Sequence, residues 1–220
     1  MKKILITILA TFALAGVSHA GSFGLGVSGS VVEVDGTGTE TTTAGTVTGG
    51  AANTNSHSEK ATSVIGSIFA EYEFDNGFTV GYEHVPGSAD VSAKHSRRDD
   101  AEDAAGSGTS GDTTRTAQAE VDNFNTLYLE APIGPLYVRL GMASVDVNTN
   151  ESGSHGTYKN VSIDGVQYGF GVKGTLGSFM TKTSFEHTDF DDFSLTSTTS
   201  NKIAADLDVT NIKFALIKQF

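Results

Sequence analysis

The chain contains no cysteine, no tryptophan, three prolines and no unbroken apolar run of membrane-helix length. Without cysteine there is no disulfide framework, no thiolate chemistry and no thiolate-ligated metal. Without a long apolar run there is no transmembrane helix. Positive charge is also scarce: 14 Lys and Arg stand against 26 Asp and Glu, a formal net charge of −12. So acidic a chain lacks the basic patches that nucleic acid requires, and no nucleic-acid partner is expected. Glycine, in contrast, is abundant, with 26 residues.

Residues 1–20 carry the marks of a cleaved signal peptide. Lys2 and Lys3 precede the apolar stretch ILITILATFALA (4–15), and SHA (18–20) sets small residues at the −3 and −1 positions of a cleavage site. Its removal leaves residues 21–220 as one domain and takes away two lysines, so −12 becomes −14.

Beyond residue 20 the pattern is alternation, the period of a β-strand. Eight segments show it: one beginning at Phe23, then about 62–74, 78–85, 121–131, 136–147, 163–174, 179–187 and 207–220. In each, one face is apolar, as in Phe23, Leu25 and Val27 or Leu136, Val138, Leu140 and Met142. The other face carries Glu71, Glu73, Glu83, Glu130, Arg139, Lys173, Lys182, Glu186 and Lys213.

The connections alternate in length. Long ones at 36–60, 86–118, about 148–162 and about 188–206 are separated by the short DNG (75–77), PIGP (132–135) and TLGS (175–178). A soluble sandwich has no reason to sort its loops in this way. An eight-stranded transmembrane barrel does: both termini and the short turns face the periplasm, and the long loops face outward. The expected fold is therefore all-β, an up-and-down antiparallel eight-stranded transmembrane β-barrel. Its interior is just wide enough for side chains, so charges of both signs are expected to pair and plug it. The expected partners of Arg139 are Glu130 or Glu71.

Two stretches, GLGVSG (24–29) and GFGVKG (169–174), match the G-x-G-x-x-G fingerprint of dinucleotide sites. Neither sits in the strand–turn–helix context that the fingerprint needs. Read as strands, they place Gly24, Gly26, Gly169 and Gly171 inward, as small neighbours for long side chains. No cofactor is expected.

The last ten residues, NIKFALIKQF, end in Phe220 with Leu216, Phe214 and Ile212 at alternate positions before it. In this the chain resembles the small eight-stranded outer-membrane barrels of Gram-negative bacteria, the OmpA/OmpX type. The resemblance implies an outer-membrane location. It also implies that Ile212, Phe214, Leu216 and Phe220 form a signal read by the barrel assembly machinery. Lys218 departs from the pattern, and a lysine there can snorkel to the interface.

Candidate chemistry is sparse. His57–Ser58 and His95–Ser96 lie in the long connections, and His84 and His187 near the outer strand ends, with Asp189 close in sequence to His187. No serine pairs with them in a rigid setting, so no catalytic residue is assigned. The acidic runs HTDFDDF (187–193) and RRDDAED (97–103) lack calcium-loop spacing, and no metal is assigned. The expected function is a structural or surface-interaction protein, with outer-membrane lipid, lipopolysaccharide and a ligand held by the loops as partners. The alternatives are a narrow channel for small solutes or ions, which needs a lumen of one charge sign or of few charges, and a lipid or peptide hydrolase at the rim.

Overall fold

β-Branched and aromatic residues at alternate positions favour extended chain, and the computed structural model is β-sheet throughout its ordered elements. It describes residues 21–42, 53–90, 95–99, 113–152, 157–198 and 200–220. The proposed signal peptide lies outside these residues. Among the described residues there are ten strands: β1 (Gly21–Thr42), β2 (Asn53–Phe74), β3 (Thr79–Asp90), β4 (His95–Asp99), β5 (Thr113–Ile133), β6 (Leu136–Ser152), β7 (Val161–Leu176), β8 (Phe179–Phe190), β9 (Phe193–Thr196) and β10 (Lys202–Gln219).

Eight of them form an antiparallel ring in the order β1-β2-β3-β5-β6-β7-β8-β10, and β10 pairs back onto β1. The closing ladder runs from Gly24 opposite Gln219 to Thr41 opposite Lys202. At its foot Phe220 N–H donates to the Phe23 carbonyl at 2.8 Å. Closure removes the free sheet edges that lipid could not satisfy. The short β4 and β9 extend the sheet at one end, on β5 and β10 respectively.

The other end is made of tight turns. Gly77, Gly134 and Gly177 hold φ values of +82°, +64° and +62° there, a region that glycine enters without steric cost. These are the three short connections of the sequence.

The long connections are shorter than their composition suggests. The stretches 36–42 and 53–60 continue the β1–β2 hairpin, with Gly36 opposite Glu59 and Thr39 opposite Ser56. Likewise β3 runs on to Asp90 and β5 begins at Thr113, inside the expected connection 86–118. Gly- and Thr-rich sequence looks like loop, yet threonine suits a pleated ladder, and a hairpin already in register extends at little cost.

Two features interrupt the ring near this hairpin end. Bulges displace the register between Val85 and Ser88 and between Asp122 and Asn125, with Asn123 at φ +52°. The β2–β3 ladder also stops at Ile68 opposite His84, while β2 continues on β1 and β3 continues on β5.

The outer surface carries an apolar waist. Val27, Val64, Ile68, Leu136, Phe170, Ile212 and Phe214 are all about half or more exposed, and Val64 reaches 77 %. Water would penalise such a belt at roughly 25 cal/mol per Å². A hydrocarbon surround would not. Above the belt the outward positions turn polar: Lys60 pairs with Asp35 at 2.6 Å and lies 3.6 Å from Glu33. Asp35 and Glu33 hold the Lys60 ammonium above its usual range.

Candidate functional site

The inward positions divide the lumen into two halves along the barrel axis. The turn-end half holds the charges, beside a small apolar cluster of Phe69, Ala215 and Ile217. Glu71, Glu83, Glu130, Arg139, Lys182, Glu186 and Lys213 are all buried there, and Glu130 and Glu186 have no solvent exposure. Lys182 Nζ donates to Glu71 Oε2 and to Glu130 Oε2, both at 2.7 Å. Lys213 Nζ donates to Glu83 Oε2 at 2.6 Å and lies 2.8 Å from Glu186 Oε2. Arg139 Nη2 donates to the same Glu83 oxygen at 2.6 Å, and its Nη1 sits 3.3 Å from Glu186. Glu73 and Lys173, nearer the turns and partly exposed, pair at 3.2 Å.

The expected pairing of Arg139 is thus only partly met. Glu130 is 3.8 Å away, while Glu83 and Glu186 are closer. Glu71 is taken by Lys182 and by the Tyr128 hydroxyl, which donates at 2.9 Å. Register decides this, and register was not readable from alternation. Hydroxyls supply further donors: Ser67 to Glu83 at 2.6 Å and Ser184 to Glu186 at 2.8 Å.

Aromatic rings complete the closure. Tyr128 and Tyr137 are 1 % exposed and lie across the lumen. The Arg139 guanidinium stacks on the Tyr128 ring with 3.6 Å from Cζ to the centroid. Each large ring faces a glycine across the ladder: Phe69 opposite Gly26, Tyr128 opposite Gly81 and Tyr137 opposite Gly171. A Cβ on Gly171 would sit 2.6 Å from Tyr137 Cζ, and a Cβ on Gly26 or Gly81 would run into the Phe69 or Tyr128 ring. The fingerprint glycines therefore make room for rings. The carboxylate side chains expected beside them account for two sites: Glu71 beside Gly24 and Glu186 beside Gly169.

The hairpin-end half is different and corrects the expectation of a polar interior throughout. Val32, Val34, Ala143, Val145, Val147, Ile163, Phe190 and Leu207 form a buried apolar cluster inside the barrel, with Ile65, Val121, Phe124 and Val209 against it. Val121 reaches the inside because the bulge at Asp122–Asn125 changes the parity of β5. Above the cluster a cavity of about 310 Å³ opens toward the hairpin end.

The other candidates of the sequence are scattered. On the outer wall His187 Nδ1 lies 2.8 Å from Thr210 Oγ1, and its Nε2 lies 3.6 Å from Asp208 rather than beside Asp189. The second distance is too long for a hydrogen bond, so among the described residues a threonine hydroxyl, not a carboxylate, holds the imidazole. His84 meets Asn125 Oδ1 at 2.8 Å, and the Tyr82 hydroxyl donates to the same oxygen at 2.7 Å. His57 pairs with Glu59 at 2.9 Å. The side chains of His95 and Ser96 and most of the run 97–103 lie outside the described residues. Next to the run 187–193, burial raises the pKa of the Asp206 carboxyl on β10, reinforced by Asp192, Asp208 and Asp189. Among the described residues no cluster of three metal-ligating side chains forms.

At the closing strand Ile212, Phe214 and Phe220 project outward at 60 %, 50 % and 72 % exposure, with Leu216 on the same face. Lys218 rests its ammonium 5.8 Å from the Phe179 ring centroid at the lower border of the belt.

Closed ring, short turns, apolar waist and plugged lower lumen define a small transmembrane β-barrel. No protein-family model matches the chain, and no curated protein matches it. Solved structures similar to it are outer-membrane barrels. OprG from Pseudomonas aeruginosa shows 13 % identity over 90 % of this chain and 96 % of its own, with a TM-score of 0.49. The outer membrane protease OmpT from Escherichia coli shows 9 % identity over 93 % and 100 %, at 0.44. Neisserial surface protein A shows 10 % identity over 91 % and 100 %, at 0.40.

Proposed function

We propose that this chain is an outer-membrane anchor that displays its long hairpins at the cell surface and conducts nothing along its axis. One observation carries the reading: the turn-end lumen is filled by paired charges of both signs and by two tyrosine rings. A conducting pore needs a continuous polar path, whereas these ions are already partnered by one another. Residues 1–20 direct export in this reading. Ile212, Phe214, Leu216 and Phe220 present the assembly signal, lipid and lipopolysaccharide surround the belt, and the hairpins carry whatever surface ligand is bound. Export and topology are tested together by placing an epitope between residues 43 and 52 and labelling intact Gram-negative cells. Surface labelling with heat-modifiable mobility in the outer-membrane fraction supports the proposal. An epitope reached only after lysis contradicts it.

A further inference from the structure

The apolar upper lumen is not required for a plug, because the ionic layer beneath already closes the barrel. It is also not required for membrane insertion, because its side chains face inward. We propose that it is a binding site for one medium-length hydrocarbon chain bearing an uncharged or cationic head. The cavity is walled by Val121, Val147, Phe193, Ile203 and Leu207, with Gly36 and Gly38 giving it width. A second space of about 90 Å³ shares Val121 and Leu207 in its wall and reaches down to Val32, Ile65 and Phe124. An enclosed apolar cavity of about 150 Å³ is dry and accepts benzene; this one, of about 310 Å³, is open at the hairpin end, where Glu40, His57 and Glu59 join the apolar wall.

The floor sets the depth. Gln167, Thr188 and Asn211 are buried where the lining turns polar, and the Lys213–Glu186 pair lies immediately below. A chain entering from the hairpin end therefore stops there. The mouth sets the head group. Glu40 and Glu59 both line it, Glu40 accepting from the Tyr158 hydroxyl at 3.1 Å and Glu59 pairing with His57 at 2.9 Å. A carboxylate head would meet these two already hydrogen-bonded carboxylates, while an ammonium or hydroxyl head could share their oxygens.

The absence of tryptophan from the chain gives a clean reporter. Phe193→Trp puts one indole in the cavity wall, and Leu140→Trp puts one in the lipid belt as a partition control. Both proteins are refolded into lipid nanodiscs and titrated with a bromine-tipped decyl alcohol, which quenches indole on contact. The proposal expects saturable quenching at position 193, with a midpoint about tenfold below the concentration that quenches position 140. In competition, decylammonium should displace the alcohol about tenfold better than decanoate at neutral pH. Adding Val147→Phe to the Phe193→Trp protein, with unchanged heat-modifiable mobility, should abolish the saturable phase. Equal, non-saturating quenching at both positions overturns the proposal. Decanoate competing as well as decylammonium overturns the head-group assignment. Neither result bears on surface display or on axial closure.

Discussion

The lower and upper halves of the lumen are built on the same eight strands yet solve the problem of a narrow interior in opposite ways. Below, each buried ion has a partner of opposite sign: Lys182 spans Glu71 and Glu130, Lys213 spans Glu83 and Glu186, and Arg139 shares those last two with Lys213 and lies 3.8 Å from Glu130. Among the described residues, Glu71 Oε1, Glu130 Oε1 and Arg139 Nε accept or donate no hydrogen bond. Above, Val32, Val145, Ile163, Phe190 and Leu207 pack without any ion. A buried ionic layer tolerates no missing member, because the remaining charge is stranded at low dielectric. An apolar layer tolerates truncation at the smaller cost of lost contact and added void. The lower half therefore fixes shape and closure, and the upper half can keep open space.

That comparison can be broken by substitution. Lys182→Met removes the nearest cation from both Glu71 and Glu130 and should cost about 3–5 kcal/mol of barrel stability, read as a lowered urea midpoint in micelles. Lys182→Met combined with Glu71→Gln and Glu130→Gln should recover much of that loss; no recovery would mean that charge pairing is not what holds this layer. Gly81→Val, which drives a side chain into the Tyr128 ring, should cost about 1–3 kcal/mol, and Gly36→Val, whose added Cβ meets nothing within 4 Å, distinctly less. In the upper half Ile163→Val should cost about 1 kcal/mol in the same unfolding assay.

The smallest effect concerns pH. The Asp206 carboxyl is raised, first by burial and then by Asp192, Asp208 and Asp189, so the folded hairpin favours its protonated form. Its favourable contribution is complete below the ordinary aspartate value of about 3.9 and is lost as pH rises through the raised value. Asp206→Asn should therefore slow amide exchange across 202–208 near neutral pH and leave it unchanged in acid. The opposite ordering would show that the acids there are held by partners rather than crowded.

The eight strands of the ring, the turn positions and the sidedness of most strands were legible, because lipid outside and charge inside impose a period of two on strands such as 136–142; the short β4 and β9 were not. The inward placement of Glu71, Arg139 and Lys213 follows from that parity alone. Three things did not follow. The partners of Arg139 depend on stagger between strands, which alternation does not encode. Val121 sits inside only because one extra residue near Asn123 shifts the parity of β5, and nothing in VDNFN announces a bulge. The apolar upper lumen was hidden because Val32 and Val34 belong to the valine-rich stretch VVEV. There an inward valine and an outward one at Val31 look alike. A count of apolar residues on the inward parity of 32, 34, 145, 147 and 207 would have been the available signal.

The most direct test of axial closure is single-channel recording from the refolded chain in a planar bilayer, beside the Lys182→Met protein. Closure by the ion layer predicts no discrete conductance from the native chain, with transient openings only in the variant. Stable, discrete steps from the native chain would contradict it and make Glu71, Glu130 and Arg139 the lining of a pore.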